Sequence, residues 1–325
     1  MKSNFYLIKN LVLGFFLISF FSALAYAQAD YPNRPVKVIV PFGPGSVPES
    51  ILRIFTNDFA KKFGQPFIIE HKPGASTNIA AAFVAQAAPD GYTLLMSNLA
   101  SNALNKWSYK KLTYDPDAFA TIGVMGTSAF YIVVRPESPF KSVSDLVNTA
   151  NKSAESLKYG SLGSGGAAHL ITELFRTKAG IKDLLHVPYK TGASLDLMAG
   201  RLDFMVDASV VNQIKTGQLR ALAVATPKRW PTLPEILTTA EAGLPDVTMQ
   251  AFTGLSAPAG TPVAILEKLN KAIRDVASDP ENETRILALH AQPMRGTRQE
   301  ANDFIRQTSE KWRPVIQSLK ISFED

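Results

Sequence analysis

The sequence predicts an α/β protein built as two lobes. Three observations predict it. First, β-rich runs alternate with segments of helical periodicity along most of the chain, the pattern of strands joined by crossover helices. Second, a chain of 325 residues exceeds what one hydrophobic core ordinarily serves, so two cores are expected. Third, several predicted strands run directly into loops of Gly, Ser, Thr and Asn. In open α/β sheets that is where ligands bind.

The first residues stand apart from the fold. Lys2 and Lys9 precede an apolar run, Leu11–Phe21, and Ala25-Tyr26-Ala27 offers small residues two apart. This is the pattern of a secretory signal peptide, residues 1–27, with cleavage expected between Ala27 and Gln28. The run is shorter than the roughly 20 residues of a membrane span. Losing two lysines and no acids lowers the formal charge from +6 to +4. That mild excess leans toward an anionic ligand. No Lys/Arg cluster exceeds two residues, so nucleic acid is not an expected partner. The chain has no cysteine, which excludes disulfides, thiolate metal sites and lipid attachment through an N-terminal Cys.

Taken in order, Val36–Val40 reads as a strand, and Ile51, Ile54, Phe55 and Phe59 fall on one face of the helix after it. Strands are predicted at 67–69, 92–96 and 131–134, with a helix over 80–87. Ser142 and Asp145 have capping-box spacing before another helix. Strands are next expected at 157–160, 185–188, 204–206 and 221–225, separated by helices over 167–179, 194–199 and 210–216. Pro227, Pro231 and Pro234 interrupt regular structure. The tail is helical, with one apolar stripe through Ile265, Leu269, Ile273 and Val276, and another through Phe304, Ile305 and Trp312. Mostly parallel sheets follow from the alternation.

The strand-end loops carry the chemistry. They are Phe42-Gly43-Pro44-Gly45-Ser46, then Pro73-Gly74-Ala75-Ser76-Thr77-Asn78, then Ser97-Asn98. In the second half they are Gly160-Ser161-Leu162-Gly163-Ser164-Gly165-Gly166 and Tyr189-Lys190-Thr191-Gly192. Glycines let backbone N–H groups approach a ligand, and the following helix start adds partial positive charge. Hydroxyls and amides add neutral donors. Any one such loop is an ordinary turn. Five in one chain point to a shared anion site, and the 160–166 loop, with four glycines and two serines, exceeds what a turn needs. Gly163–Ala168 also fits a dinucleotide fingerprint, but no acid ends the next strand to hold a ribose.

Catalytic signatures are absent: there is no G-x-S-x-G, no G-x-x-x-x-G-K and no H-E-x-x-H. His169 and Glu173 lie one turn apart without a third metal ligand nearby, which reads as a hydrogen-bonded pair at a helix start, with His169 donating to a ligand or to the glycine loop. His71, His186 and His290 have no motif around them. Asp207 ends a strand, facing the cleft or capping the next helix. Phe42 either walls the anion site or packs between strand and helix. No cofactor or metal is expected.

These residues resemble a known family. Tyr31-Pro32-Asn33-Arg34-Pro35, Ile39-Val40-Pro41-Phe42 with Pro44-Gly45, Pro73-Gly74-Ala75 with Asn78, and Ala88-Pro89-Asp90-Gly91-Tyr92-Thr93-Leu94 open the likeness. Tyr159-Gly160-Ser161 with His169-Leu170, His186–Lys190, Gly217–Val224, Glu241–Pro245 and Ala257–Pro262 complete it. The chain resembles the substrate-binding proteins of tripartite tricarboxylate transporters, the Bug family of Gram-negative bacteria.

The resemblance implies a two-lobed, type II-like periplasmic binding fold. It implies a monomer that closes on a small organic acid, from classes including dicarboxylates, tricarboxylates, acidic amino acids and aromatic carboxylates, and delivers it to membrane subunits, a dicarboxylate or an aromatic acid being the expectation here. It places the ligand between 42–46, 75–78 and 161–169. Within those loops the candidate contacts are Phe42, Gly43, Ser46, Ala75, Ser76, Thr77, Asn78, Ser161, Ser164, Gly165, Gly166 and His169; the strand-end reading adds Ser97, Lys190, Thr191 and Asp207. The chain departs from the family pattern at Ser46, Glu49, Ala167 and Ala208, and at Ser76-Thr77, where Gly-Gly is usual, so the ligand's identity does not carry over. The expected lobes are 28–127 with 251–325, and 128–250. A sensory co-receptor for the same ligands is the alternative, and an enzyme acting on an organic acid a more distant one.

Overall fold

The computed structural model describes residues 31–161, 163–189 and 193–319. The predicted export segment, residues 1–27, and the candidate contacts Lys190 and Thr191 lie outside them. Among the described residues no helix is long and apolar enough to cross a membrane.

The chain opens with two β–α units. β1 (Val36–Val40) leads to α1 (Val47–Phe63), β2 (Phe67–His71), a 3-10 turn (Ala75–Thr77), α2 (Asn78–Ala85) and β3 (Thr93–Asn98). α1 forms where the periodicity predicts it. It buries Ile51, Ile54, Phe55 and Phe59, and it ends at Gly64, whose φ of 68° lets its N–H reach the Ala60 carbonyl. A π-helical stretch (Ala100–Leu104) then runs into the short α3 (Asn105–Ser108), and β4 (Phe119–Ala129) follows.

The chain next builds a second sheet from β5 (Tyr131–Val134), α4 (Val143–Lys152), β6 (Leu157–Ser161), α5 (Ala167–Lys178), β7 (Leu184–Pro188), α6 (Ala193–Met198), β8 (Phe204–Asp207), α7 (Val211–Lys215) and β9 (Arg220–Val224). The capping box expected before α4 is present, with Ser142 and Asp145 bonding each other's backbone. It then returns through β10 (Gln250–Pro258), α8 (Val263–Ser278), α9 (Pro280–Ala288), β11 (Gln292–Pro293) and α10 (Arg298–Leu319).

The two sheets have strand orders β11-β4-β10-β3-β1-β2 and β7-β6-β8-β5-β9. The expected parallel pairing holds within the β–α–β units: β1 with β2 and β3, and β6 with β7 and β8. It does not extend to the strands that cross between sheets. β10 runs antiparallel to β3 and β4, β11 to β4, and β5 to β8 and β9. Both sheets are therefore mixed, because strands that carry the chain from one sheet to the other enter against the direction of their neighbours.

The two crossings lie side by side. β4 ends at Ala129 and β5 begins at Tyr131, while Gln250, at the start of β10, pairs with Ala129. One apolar core lies between the first sheet and α1 and α8, joining Val38, Phe55, Phe59, Leu94, Leu269 and Ile273. Another lies beneath the second sheet around Ile132, Tyr159, Phe175 and Phe204. α10 belongs to both halves. Its Ile305, Trp312 and Ile316 join the second core, together with Leu99, Leu104 and Val124 from the first half.

Candidate functional site

The loop after β1 is organised from within. Ser46 caps α1, its Oγ accepting from the Glu49 N–H at 3.4 Å. Glu49 is buried, and it gathers three groups: Gly45 N–H donates to Oε2 at 2.8 Å, Arg53 Nε donates to Oε1 at 2.8 Å, and His71 Nε2 lies 3.1 Å from Oε2. Burial pushes the Glu49 carboxyl upward, but the hydrogen bonds from Gly45, His71 and Arg53 outweigh it and hold it below the usual range. The Gly45 N–H, which the sequence leaves open to a ligand, is thus already engaged. Gly43 is exposed, and Phe42 is half-buried with its ring packed on the core of the first sheet.

The loop after β2 is under backbone strain. Gly74 has φ 125°, and then Ala75, Ser76 and Thr77 follow at φ 44°, 48° and 78°. Three consecutive non-glycine residues in the left-handed region cost on the order of 1 kcal/mol or more each. Neighbours hold them there. Asn105, fully buried at the start of α3, donates from Nδ2 to the Ser76 carbonyl at 3.0 Å and to Asn78 Oδ1 at 2.6 Å. The Tyr114 hydroxyl lies 3.1 Å from the same Asn78 oxygen. Thr77 Oγ1 is buried without a protein partner, and so are Asn105 Oδ1 and, on β3, Ser97 Oγ. Buried hydroxyls left like this are uncommon, because desolvation is uncompensated.

The loop after β6 is the counterpart in the second sheet. Ser161 is buried; its Oγ donates to the Gly163 carbonyl at 3.0 Å and lies 2.7 Å from His186 Nε2. Gly165 is buried with φ 78°, and its N–H donates to His169 Nδ1 at 3.0 Å. The sequence reading has His169 donating to a ligand or to this loop; toward the loop it accepts, because a backbone N–H can only donate. Ser164 is exposed. Gly166 caps α5, and a Cβ placed on it would come within 3.4 Å of Ser76 Oγ. The structure therefore brings the 75–78 loop and the glycine loop, from different sheets, into van der Waals reach of each other.

Asp207 sits apart at the end of β8. It is buried, accepts from Ser209 N–H at 2.6 Å and Ser209 Oγ at 2.5 Å, and is raised above the usual carboxylate range by burial, with the Ser209 bonds opposing. It does not cap the next helix: that position is Val210, without a side-chain cap. The carboxylate turns onto its own loop two residues on. Glu173 accepts from the Tyr159 hydroxyl at 2.8 Å and Arg176 Nε at 2.7 Å. Among the described residues no three His, Cys, Asp or Glu side chains group as metal ligands. Asn105, Tyr114 and His186 were not singled out from sequence. The only signal for the first was polar density: Asn98, Ser101, Asn102 and Asn105 interrupt an apolar stretch.

Comparison with known proteins agrees with this architecture. Residues 51–321 match the model of the tripartite tricarboxylate transporter family receptor. A UPF0065 protein of Bordetella pertussis is 33% identical over 307 residues, covering 93% of this chain and 95% of that one. The solved structure of R. palustris Rpa4515 with adipate is 31% identical, with a TM-score of 0.84, covering 90% of this chain and all of that one. MatC from Rhodopseudomonas palustris with bound malate is 30% identical, with a TM-score of 0.81, covering 88% of this chain and all of that one. A two-sheet α/β fold with helices on both sheets, matched along nearly its whole length by solute-binding receptors, places this chain in the Bug family of tripartite tricarboxylate transporter receptors, which are binding proteins and not enzymes.

Proposed function

We propose that this protein captures a small dicarboxylate in the periplasm, between lobes 28–127 with 251–325 and 128–250, and delivers it as a monomer to the membrane subunits of a tripartite transporter. The observation that carries the reading is the strained 74–77 loop, with the Thr77 hydroxyl buried and unpartnered, facing the glycine loop across Ser76 and Gly166. Strain of this kind persists where surroundings over-determine it, and it gathers at ligand clamps. Hydroxyls lacking a protein partner supply what a carboxylate accepts.

The adipate and malate in the related structures favour a compact aliphatic diacid. An aromatic ligand stacked on Phe42 has less support, since that ring packs on the core. The export signal over 1–27 and the mild positive charge of the remaining chain accord with the same reading.

Calorimetry on the mature protein with malate, adipate, citrate and benzoate tests it. Binding of malate or adipate well ahead of citrate and benzoate is expected. At 100 times the dissociation constant the bound diacid stabilises the fold by about 2.7 kcal/mol. Preference for citrate or benzoate, or no binding of either diacid, overturns it.

A further inference from the structure

The glycine loop has little of its own to set its shape: Gly163, Gly165 and Gly166 have no side chains, Ser164 is exposed, and the loop's own backbone contributes one long bond, Gly166 N–H to the Gly163 carbonyl at 3.4 Å. Two histidines stand behind it. His169, in the first turn of α5, accepts the Gly165 N–H on Nδ1. Nδ1 therefore carries no proton, and the neutral ring keeps its proton on Nε2. His186, on β7, stacks on that ring with centroids 4.0 Å apart and planes 18° apart, and it also stacks on Tyr159 at 4.9 Å. Its Nε2 lies 2.7 Å from Ser161 Oγ. The Ser161 proton is directed to the Gly163 carbonyl, so His186 Nε2–H must be the donor in that contact.

We infer that His186 is a positioning residue of the binding site: it braces Ser161 and His169, and through them the loop 163–166. The inference rests on the reading of that loop as part of the ligand site. Ser161 pins the loop's first half at Gly163, His169 pins its second half at Gly165, and His186 touches both.

The brace requires the His169 ring to be neutral. A proton on His169 Nδ1 would set two donors face to face at 3.0 Å and put charge beside His186. The other charged groups near the pair are Glu173 and Arg176 on α5, which bond each other, while the Tyr159 hydroxyl on β6 bonds Glu173. Burial first, and then His186, hold His169 down to about 4 against the pull of Glu173. Burial likewise holds His186 low.

Two measurements on the mature protein test the brace. The first needs no ligand: nitrogen-15 NMR of the imidazoles. His169 is expected as the neutral Nε2–H tautomer from pH 7 to pH 5, and His186 as the neutral Nε2–H tautomer at pH 7. Titration of His169 at pH 6.5 or above, or an Nδ1–H tautomer in either ring, overturns the inference. The second is a double-mutant cycle with malate as probe. Ser161→Ala and His186→Phe each weaken binding by about fivefold, the worth of one hydrogen bond. Combined, they weaken it little beyond the larger single effect, because the same contact is lost twice. His186→Gln, which retains a donor toward Ser161, recovers most of the affinity. Independent, multiplicative losses, or His186→Gln as weak as His186→Phe, overturn it. If the parent protein binds no malate, the diacid reading falls and the NMR result alone decides on the brace.

Discussion

At Ser76 and Thr77 the resemblance leads one to expect a glycine pair, and the backbone gives a reason for glycine there. Both residues lie at positive φ, where glycine is free of strain and a β-branched threonine is not. In the proposed diacid site their hydroxyls offset the strain by donating to the ligand. Thr77→Gly is therefore expected to stabilise the unliganded protein by about 1 kcal/mol while weakening malate binding. Thr77→Ala and Ser76→Ala keep the strain and lose the donor, so each should cost about 0.5–1.5 kcal/mol of affinity. Chemical denaturation and calorimetry on the three variants check this; a Thr77→Gly that binds as tightly as the parent contradicts it. Gly165 was legible in sequence as a special position, and His169 as a group able to bond its loop, but the direction of that bond was not. Its left-handed φ requires glycine, while its N–H goes to His169. That histidine sets a pH signature. The unfolded ring takes up a proton near pH 6.5 and the folded ring only near 4, so the unfolded state binds more protons in between. Stability should fall as pH drops across that window, by up to about 3 kcal/mol from this group. His169→Asn, which cannot titrate, should flatten the fall; an unchanged profile in that variant removes His169 as its source.

Among the elements, the β–α units were legible and the long crossing strands were not. β1, α1, β5 and α4 show period, caps or β-branched runs within a few residues. β4 and β10 show none of these. They are interior strands buried on both faces, so they lack polar alternation, and glycines interrupt them. The glycines have a packing cause. A Cβ on Gly254 would meet the Gly123 carbonyl and Ser97 Oγ at 2.8 Å, and one on Gly123 would meet Ile273 at 3.0 Å. Close approach between neighbouring strands and α8 dictates them, and single-chain periodicity cannot report it. Gly254→Ala should accordingly cost about 1–3 kcal/mol through overpacking, measured by urea unfolding. A neutral result would mean that β3 and β4 can spread at little cost. The segment from Asn98 to Tyr114 was opaque for a related reason: its π-helical turn and Asn105 are explained by the loop they hold, which lies 27 residues earlier in the chain at Asn78.

On the scale of the whole molecule, two sheets share a paired crossing at Ala129 and Gln250, and α10 packs into both halves. α10, whose Ser309 bonds the Ala103 carbonyl and accepts from Trp107, ties the π-helical segment to the second core. Alternation and length made the two-part architecture readable, but not the sharing of α10, since an amphipathic stripe names its buried face and not what covers it. A crystal structure of the mature protein with malate decides whether one small diacid is held between the 74–78 loop and the glycine loop. A malate carboxylate is expected within hydrogen-bond distance of Ser76 or Thr77, with the same molecule in contact with the 161–166 loop. Malate bound instead in the polar groove between Lys106, Asp117 and Arg306, or touching residues of one sheet alone, would contradict it.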